Sequence, residues 1–418
     1  MPHPNAVLDE LSWRGLVHQH SDGLADALAK APVSAYAGFD PSASSMHVGN
    51  LIPVMGLMHL QRSGHRPFVV VGGGTGLIGD PSGKTAERQL HSMETVEANT
   101  RAIRAQLENF LDFSGANAAQ IRNNADWLVP LAAVDFMRDV GKHFTVNYML
   151  AKESVQARME AGISYTEFSY MLLQAYDFRE LFRRDGVTLQ VGGSDQWGNI
   201  TAGMELIRRT EGGEANALTF PLVMTASGTK FGKTESGNVW LDPERTSPYQ
   251  FYQFWINVDD RDVGKYLRYF TLLSREEIES LERAVEERPE SRAAQQALAR
   301  DVTTRVHGAD AARVAEDVSR LLFAKGDPAS LSREALEALS REVPFTETSD
   351  TPTVVDALVQ LGLTASKSAA RRLIEQGGVA VNGQRISAGS DSLGEPLMGA
   401  YYLLKKGGRD FGLLRVRS

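Results

Sequence analysis

The sequence of 418 residues contains no cysteine. Disulfides, thiolate nucleophiles, iron–sulfur ligation and cysteine-based zinc sites are therefore excluded. It also lacks any apolar run near the ~20 residues that a membrane helix needs, and its N-terminus lacks the basic and then hydrophobic pattern of a secretory signal. We therefore expect a cytoplasmic protein with no membrane partner.

An overall excess of basic residues is also missing. The 44 Lys and Arg face 52 Asp and Glu, a net charge of −8, which argues against a uniformly basic nucleic-acid binder. From Thr351 to the end, however, nine basic residues face five acidic ones, so the tail carries +4 and residues 1–350 carry −12. This asymmetry predicts a basic module for a polyanionic partner, attached to an acidic body.

The first half alternates between strand and helix patterns. SAYAGF at 34–39 and PFVVV at 67–71 are short β-rich runs, and apolar residues between 51 and 58 recur at helical spacing. Strand, helix and strand in close succession predict a right-handed crossover in a parallel sheet, and VTLQV at 187–191 repeats the pattern. We predict an α/β, Rossmann-like domain over 1–247.

The composition changes after residue 247. Helix-length stretches such as 274–287 and 309–323 predict an α-helical domain over 248–342. A polar linker at 343–352 then leads to the basic module at 353–418, which we expect to be a small α+β domain. Within it, 366–375 is typical of a helix, and VAVNGQRI predicts a hairpin with an Asn-Gly turn.

The glycine-rich run at 71–85, VGGGTGLIGDPSGKT, permits two alternatives. Gly74, Gly76 and Gly79 satisfy the dinucleotide fingerprint, and the final GKT resembles the end of a phosphate-binding P-loop. No second strand ending in an acidic residue follows at the expected distance, however, and Ile78 stands where a P-loop needs glycine. A P-loop or dinucleotide-binding enzyme remains a disfavoured alternative.

The segment YAGFDPSASSMHVGN, at 36–50, predicts a strand end, a turn and a helix entrance. We expect Asn50 to cap the helix, with Pro53 at its third position, where no intrahelical N–H is needed. A helix entrance gathers N–H groups and the positive end of a dipole, which suits a phosphate. Gly49 would let a flat base approach the backbone. A purely structural histidine at 47 is the alternative.

A second candidate is TKFGKTE at 229–235, where Lys230 and Lys233 flank Phe231 and Gly232. Two lysines on a glycine-containing loop are mobile point charges, which are useful where negative charge develops on a phosphoryl group. An exposed basic turn without function is the alternative.

Taken together, HVGN at 47–50 and KFGKT at 230–234 resemble the two signatures of class I aminoacyl-tRNA synthetases, conventionally written HIGH and KMSKS. GFDPSASSMHVGN, GGGTGLIGDPSGK, YTEFSYMLLQAYDF, VGGSDQWGNI and KFGKTESGNVWLD resemble, in order, the bacterial-type tyrosyl-tRNA synthetase family. LTASKSAARRLIEQGGVAVNGQRI resembles its small RNA-binding domain. Three departures stand at Asn50, where the signature ends in histidine, and at Ala37 and Pro53, where relatives often carry cysteine and threonine.

The resemblance implies a tyrosine–tRNA ligase, which forms tyrosyl-adenylate and pyrophosphate from tyrosine and ATP and then transfers tyrosyl to the 3′ end of tRNA(Tyr). It implies Mg²⁺ that accompanies ATP, no metal held by the protein, and a homodimer with its interface in an insertion at about 115–165. A non-catalytic RNA-binding paralogue is the other alternative. The retention of His47, Lys230, Lys233, Asp177 and Asp195 argues against it.

The resemblance also implies individual roles. Tyr36 and Asp177 would bond the substrate phenol, and the whole tyrosine pocket would comprise Tyr36, Asp80, Tyr170, Gln174, Asp177, Gln190 and Gln196. The residues that bind ATP would be Gly38, Asp40, Ser42, His47, Gly49, Asn50, Gly193, Asp195 and Lys233. The catalytic groups would be His47, Lys84, Arg88, Lys230, Lys233 and Thr234. RNA contacts would come from Lys367, Arg371 and Arg372.

Overall fold

The computed structural model describes residues 6–82, 91–152, 155, 156, 159, 162–229, 231–234, 237–324, 326–387 and 389–417. The chain divides into two compact units. The first comprises Met1–Thr246 and Val258–Leu298, and the second comprises Ser247–Asn257 and Ala299–Ser418.

The described strands are, in chain order, β1 Gln19–His20, β2 Ser34–Phe39, β3 Arg66–Val71, β4 Gln120–Asn123, β5 Val187–Gly193, β6 Asn216–Phe220, β7 Lys233–Thr234, β8 Gly237–Asn238, β9 Phe345–Thr348, β10 Val379–Val381, β11 Gln384–Arg385, β12 Tyr401–Lys406 and β13 Asp410–Val416. The described α-helices are α1 Ala6–Trp13, α2 Leu24–Lys30, α3 Leu51–Arg62, α4 Met93–Leu107, α5 Ala125–Leu128, α6 Ala133–Asp139, α7 Val146–Leu150, α8 Tyr165–Asp185, α9 Trp197–Thr210, α10 Pro248–Ile256, α11 Asp260–Phe270, α12 Arg275–Glu287, α13 Ala293–His307, α14 Ala309–Phe323, α15 Arg333–Leu339, α16 Val354–Gln360 and α17 Lys367–Glu375.

The first unit is built on a six-stranded sheet with the order β1-β6-β5-β2-β3-β4. Only β1 runs antiparallel to its neighbour; the other pairs are parallel. From β2 the chain proceeds outward through β3 and β4, and from β5 it proceeds in the other direction to β6. The switch point therefore lies between β2 and β5, where ligands bind in open α/β sheets. The predicted α/β class is confirmed.

Helix α8 carries several candidate site residues, and both of its ends are fixed by local sequence. The Ser164 hydroxyl accepts a hydrogen bond from the backbone N–H of Glu167, which caps the N-terminus. Gly186 ends the helix with φ 64°, in the left-handed region that glycine adopts without strain. The face of α8 that carries Tyr170 and Asp177 is buried.

The second unit contains α10, α14–α17 and a five-stranded sheet with the order β11-β10-β12-β13-β9. The helix predicted over 366–375 is present as α17, Lys367–Glu375, and Ser366 is its cap, because the Ser366 side chain accepts from the N–H of Ala369. The predicted Asn-Gly turn between β10 and β11 is also present, with φ 49° at Asn382 and 83° at Gly383. Strand β9 lies in the segment expected to be a linker and pairs in parallel with β13.

Candidate active site

A buried carboxylate, Asp177 on α8, lies at the centre of the site. Its Oδ1 accepts from Trp127 Nε1 at 2.7 Å, and its Oδ2 accepts from Asn124 Nδ2 at 2.9 Å. Burial disfavours the charged form and raises the pKa of Asp177 to about 7, although the two hydrogen bonds oppose this shift. The carboxylate is held in one orientation by its two donors.

Tyr36 lies beside this carboxylate. It is 1% exposed, and its ring packs edge-on against Phe178 with centroids 5.3 Å apart. Burial raises the pKa of Tyr36 well above its ordinary value, and the charge of Asp177 raises it further. The proximity of Tyr36 and Asp177 that the resemblance implies is therefore present.

Two buried polar atoms near the switch point have no hydrogen-bond partner within the described part of the chain: the Tyr36 hydroxyl and Gln190 Oε1. Tyr36 on β2 and Gln190 on β5 are register partners across the switch point. Because buried polar groups are normally paired, two such atoms at paired register positions, one of them on the tyrosine whose pKa Asp177 raises, indicate a polar ligand.

A chain of hydrogen bonds leads away from Asp177. Asn124 Nδ2 also donates to Thr75 Oγ1 at 2.9 Å, and Thr75 Oγ1 donates to Asp40 Oδ1 at 2.7 Å. The Tyr170 hydroxyl donates to Asp40 Oδ2 at 3.0 Å. Tyr170 from the expected tyrosine pocket and Asp40 from the expected ATP site are therefore in direct contact.

A second polar cluster surrounds Asp80, whose Oδ2 accepts from Gln196 Nε2 at 2.6 Å. Asn199 Nδ2 lies 3.1 Å from Gln174 Oε1 and 3.3 Å from Gln196 Oε1. Burial is the main cause that raises the pKa of Tyr170, and the charges of Asp40 and Asp80 add to it. Tyr170 thus lies near both carboxylates.

The end of β5 carries Gly193 and Asp195. A Cβ at Gly193 would lie 2.6 Å from Asp195 Oδ1, so the glycine allows the carboxylate to approach the backbone closely. At the end of β2, Gly38 and Ser42 are exposed, and the N–H of Ser42 donates to the carbonyl of Asp40.

His47 is joined to the chain that follows the lysine loop. The N–H of Val48 donates to the carbonyl of Val239 at 3.0 Å, and the N–H of Leu241 donates to that of Met46 at 2.9 Å. The His47 ring also lies edge-on to Trp240, with centroids 6.1 Å apart.

The two signature segments are in contact at Gly232. This glycine has φ 80°, and a Cβ there would lie 2.6 Å from Val48 Cγ2 and 3.6 Å from the backbone nitrogen of Gly49. Lys233 follows on β7 and is exposed. The segment that begins at His47 and the 230s loop therefore lie next to each other.

Asn50 does stand at the N-cap position of α3, as expected, but its side chain does not cap that helix. The chain first forms a 3₁₀ turn, Val48–Asn50, whose cap is His47: its Nδ1 accepts from the N–H of Gly49 at 3.0 Å. Asn50 Oδ1 instead accepts from the N–H of His47, and Asn50 makes no side-chain cap to α3. Pro53 does stand at the third position of α3.

Four expected catalytic groups cannot be located. Lys84, Arg88 and Lys230 lie outside the described residues, and so does the side chain of Thr234.

Sequence reasoning missed Asn124, Trp127, Asn199 and Trp240. Asn124 follows β4 directly, and polar residues at the carboxyl end of a parallel strand are candidate ligands, so its position was a usable signal. Trp127 and Trp240 offered none, because a lone tryptophan in a sequence is more often part of the core.

The glycine-rich run packs against the site's own side chains. A Cβ at Gly72 would overlap Asp40, one at Gly73 would overlap Asn123, and the N–H of Gly74 donates to Asn124 Oδ1 at 2.8 Å. Residues 93–107 form a helix, so the second strand of a dinucleotide unit is absent from this stretch. Both observations disfavour the P-loop and dinucleotide alternatives.

The candidate RNA-binding residues are exposed on α17. Lys367 forms an ion pair with Asp356 at 2.5 Å. Arg371 and Arg372 are not within ion-pair distance of any carboxylate in the described ranges.

Within the described ranges, no group of three or more His, Asp or Glu side chains is placed to hold a metal ion. No described helix combines the length and the apolar character that a membrane span requires.

Comparison with known proteins gives consistent matches. The family model "tRNA synthetases class I (W and Y)" matches residues 28–324, and the model "Tyrosine--tRNA ligase SYY-like C-terminal domain" matches residues 335–414. Tyrosine–tRNA ligases from Roseiflexus castenholzii and Anaeromyxobacter dehalogenans are 56% and 54% identical, and each alignment covers 98% of this chain and 99% of the relative.

A solved structure is also similar. The C-terminally truncated mitochondrial tyrosyl-tRNA synthetase of Aspergillus nidulans is 30% identical, with a TM-score of 0.69, over 76% of this chain and 94% of that one.

Proposed function

The chain belongs to the family of class I tRNA synthetases for tryptophan and tyrosine, and from this premise we propose how its residues perform the reaction. Its function is that of a tyrosine–tRNA ligase, an aminoacyl-tRNA synthetase that uses ATP. The observation that carries the residue assignment is the buried Tyr36 hydroxyl near the carboxylate of Asp177; this hydroxyl has no hydrogen-bond partner among the residues that the structure describes.

Tyr36 and Asp177 recognise the substrate phenol. The phenolic hydroxyl donates to Asp177, which already accepts from Trp127 and Asn124, and it accepts from Tyr36. Phenylalanine would leave the buried Tyr36 hydroxyl without a partner, at a cost of about 1–3 kcal/mol, and would give Asp177 no donor beyond Trp127 and Asn124. The pocket therefore discriminates by hydrogen bonding as well as by shape.

The second polar cluster receives the amino-acid backbone. Asp80 supplies the negative charge for the tyrosine ammonium group, and Tyr170 and Gln174 supply further acceptors. Gln190 and Gln196 complete this side of the pocket: Gln190 Oε1 is unpaired within the described ranges, and Gln196 holds Asp80 in place.

ATP lies across the carboxyl ends of β2 and β5. Gly193 and Asp195 take the ribose, while Gly38, Asp40, Gly49 and Asn50 line the rest of the nucleotide site. The tyrosine carboxylate attacks the α-phosphorus and pyrophosphate leaves, so negative charge develops on the leaving group. Positioned cations stabilise this charge without acting as nucleophiles.

The positive charge comes from the lysine loop, and His47 contributes a hydrogen-bond donor from its other ring nitrogen, because its Nδ1 accepts from the N–H of Gly49. We assign Ser42, His47, Lys233 and Thr234 to the phosphates, together with Lys84, Arg88 and Lys230, for which the sequence resemblance is the support. Mg²⁺ enters as the partner of the ATP phosphates and neutralises part of their charge.

A homodimer is supported by exposed apolar residues that concentrate between 129 and 165. Val129, Val134, Met137, Val146, Met159 and Tyr165 are each at least half exposed, and such concentrations mark interaction surfaces. Val134→Asp, at a position 74% exposed, should convert a dimer into a monomer in sedimentation without unfolding it.

The C-terminal sheet domain binds tRNA through α17, and the cytoplasm, where tRNA is charged, is the proposed location.

Pyrophosphate exchange with ATP, measured with each of the twenty amino acids, tests the assignment of the chain as a tyrosine–tRNA ligase. Tyrosine alone should stimulate exchange. Stimulation by tryptophan instead of tyrosine, or no stimulation by any amino acid, would overturn the assignment.

A further inference from the structure

One helix, α11, holds the segment that leads into the lysine loop. Asp262 Oδ2 accepts from the backbone N–H of Ala226 at 2.7 Å, and Lys265 Nζ donates to the carbonyl of Met224 at 3.0 Å. Lys265 Nζ also lies 2.8 Å from Asp262 Oδ1, so the two contacts form one connected unit.

The same helix face makes a third contact. Phe231, which is 4% exposed, stacks on Phe270 with centroids 5.0 Å apart and lies edge-on to Tyr266 at 4.8 Å. Asp262, Tyr266 and Phe270 are spaced by four residues, so they share one face of α11. The helix therefore contacts the segment both before and after residues 227–229.

The segment itself is closed by internal hydrogen bonds. The N–H of Phe231 donates to the carbonyl of Val223 at 3.2 Å, and the N–H of Thr225 donates to that of Thr229 at 2.9 Å. A contact at Ala226 therefore positions more than one residue, because these two hydrogen bonds join the residues before Ala226 to the residues after it.

Asp262 is 4% exposed. A buried carboxylate is strongly disfavoured unless it is paired, and its hydrogen-bonded partners here are the loop backbone and Lys265. If the loop segment moved away, Asp262 would lose one of these partners. The carboxylate therefore favours the position of the loop in which Gly232 contacts Val48.

We propose that Asp262 is a positioning residue for adenylate formation, which acts through Lys233 by holding the segment at Met224 and Ala226 against α11, with Lys265 as its support. This inference rests on the proposed function, because it requires that Lys233 stabilises the leaving pyrophosphate. Cations stabilise a transition state only where they are held in place beforehand, and small displacements cost about 100-fold in rate.

The test measures tyrosine-dependent pyrophosphate exchange, tyrosine affinity and thermal stability for Asp262→Ala, Asp262→Asn and Lys265→Met. Arg261→Met is the matched control, since Arg261 is on the same helix but pairs with Asp259. We expect Asp262→Ala to lower kcat about 10-fold to 100-fold, with tyrosine Kd within twofold. Asp262→Asn, which keeps an acceptor for Ala226, should recover part of that loss, and Arg261→Met should match the wild type.

A double-mutant cycle with Lys233→Ala separates positioning from a general structural effect. In the Lys233→Ala background, Asp262→Asn and Lys265→Met should change exchange by less than about twofold. Additive losses, or an unchanged kcat in all three single variants, would overturn the inference. If Asp262→Ala does not fold, the other two variants decide. A wild type that fails to exchange with tyrosine would instead overturn the proposed function.

Discussion

Asp177 lies close enough to Tyr36 for its negative charge to raise the pKa of the tyrosine phenol. The Asp177 carboxylate already accepts from Asn124 and Trp127, whereas the Tyr36 hydroxyl has no partner within the described ranges. One member of the pair is thus fixed in orientation and the other is available. This arrangement suits a ligand hydroxyl that donates to the first and accepts from the second.

Tyr36→Phe should weaken tyrosine binding by about 3-fold to 10-fold, the value of one neutral hydrogen bond. The variant should be at least as stable as the wild type, because the substitution removes an unpaired buried hydroxyl. Equilibrium dialysis and thermal unfolding measure the two effects. Phenylalanine affinity serves as the control and should not fall; an equal loss for both amino acids would mean that the hydroxyl does not contact the phenol.

Asp177 should make stability depend on pH. Its pKa is about 7 in the folded state and 3.8 in the unfolded state, so the folded state keeps the proton up to a higher pH. The free energy of unfolding therefore falls as the pH rises between these two values. The unfolding free energy of the wild type, relative to Asp177→Asn, should drop by about 3 kcal/mol between pH 4.5 and 7.5. Denaturant titrations at several pH values measure this, and a constant difference would contradict it.

Gly232→Ala and Gly228→Ala form a matched pair. Both glycines have positive φ, 80° and 79°, so alanine carries a similar backbone strain of about 1–2 kcal/mol at each. Only at 232 would the new methyl meet Val48; at 228 it meets open space. Gly232→Ala should therefore slow pyrophosphate exchange about tenfold or more relative to Gly228→Ala. Similar rates for the two variants would argue that the Val48 contact has no role.

Arg371→Ala combined with Arg372→Ala should raise the KM for tRNA and leave pyrophosphate exchange unchanged. If each arginine contacts one phosphate, the salt dependence of tRNA binding should weaken by about one unit of log–log slope per residue. Filter binding over a range of salt concentrations measures this slope. Arg313→Ala on α14 is the control; a slope equal to the wild type in the double variant would exclude phosphate contacts.

Much of the fold was accessible from local sequence. Residues 34–39 and 309–323 show strand and helix patterns that match β2 and α14. The helix predicted over 366–375 matches α17 within one residue, because its cap at Ser366 is local chemistry. The β9 strand was missed: TETSD is polar, and its pairing with β13 depends on residues 68 positions later. Pairing at that distance has no local signal.

The site was accessible only in part. Glycines, lysines and the histidine could be recognised because motifs place them close together in sequence. The bonds of Asn124 and Trp127 to Asp177 span 53 and 50 positions, and only the parallel sheet brings them together. The cap at His47 was missed because a 3₁₀ turn precedes α3 and moves the start of the helical segment by one turn.

The most direct measurement compares Lys233→Ala with the wild type in single-turnover formation of tyrosyl-adenylate and in equilibrium binding of tyrosine. The account predicts that Lys233→Ala lowers the rate by at least about 100-fold, as for the loss of one transition-state donor. The Kd for tyrosine should be unchanged. An unchanged rate, or a Kd that rises in proportion to the loss of rate, would contradict it.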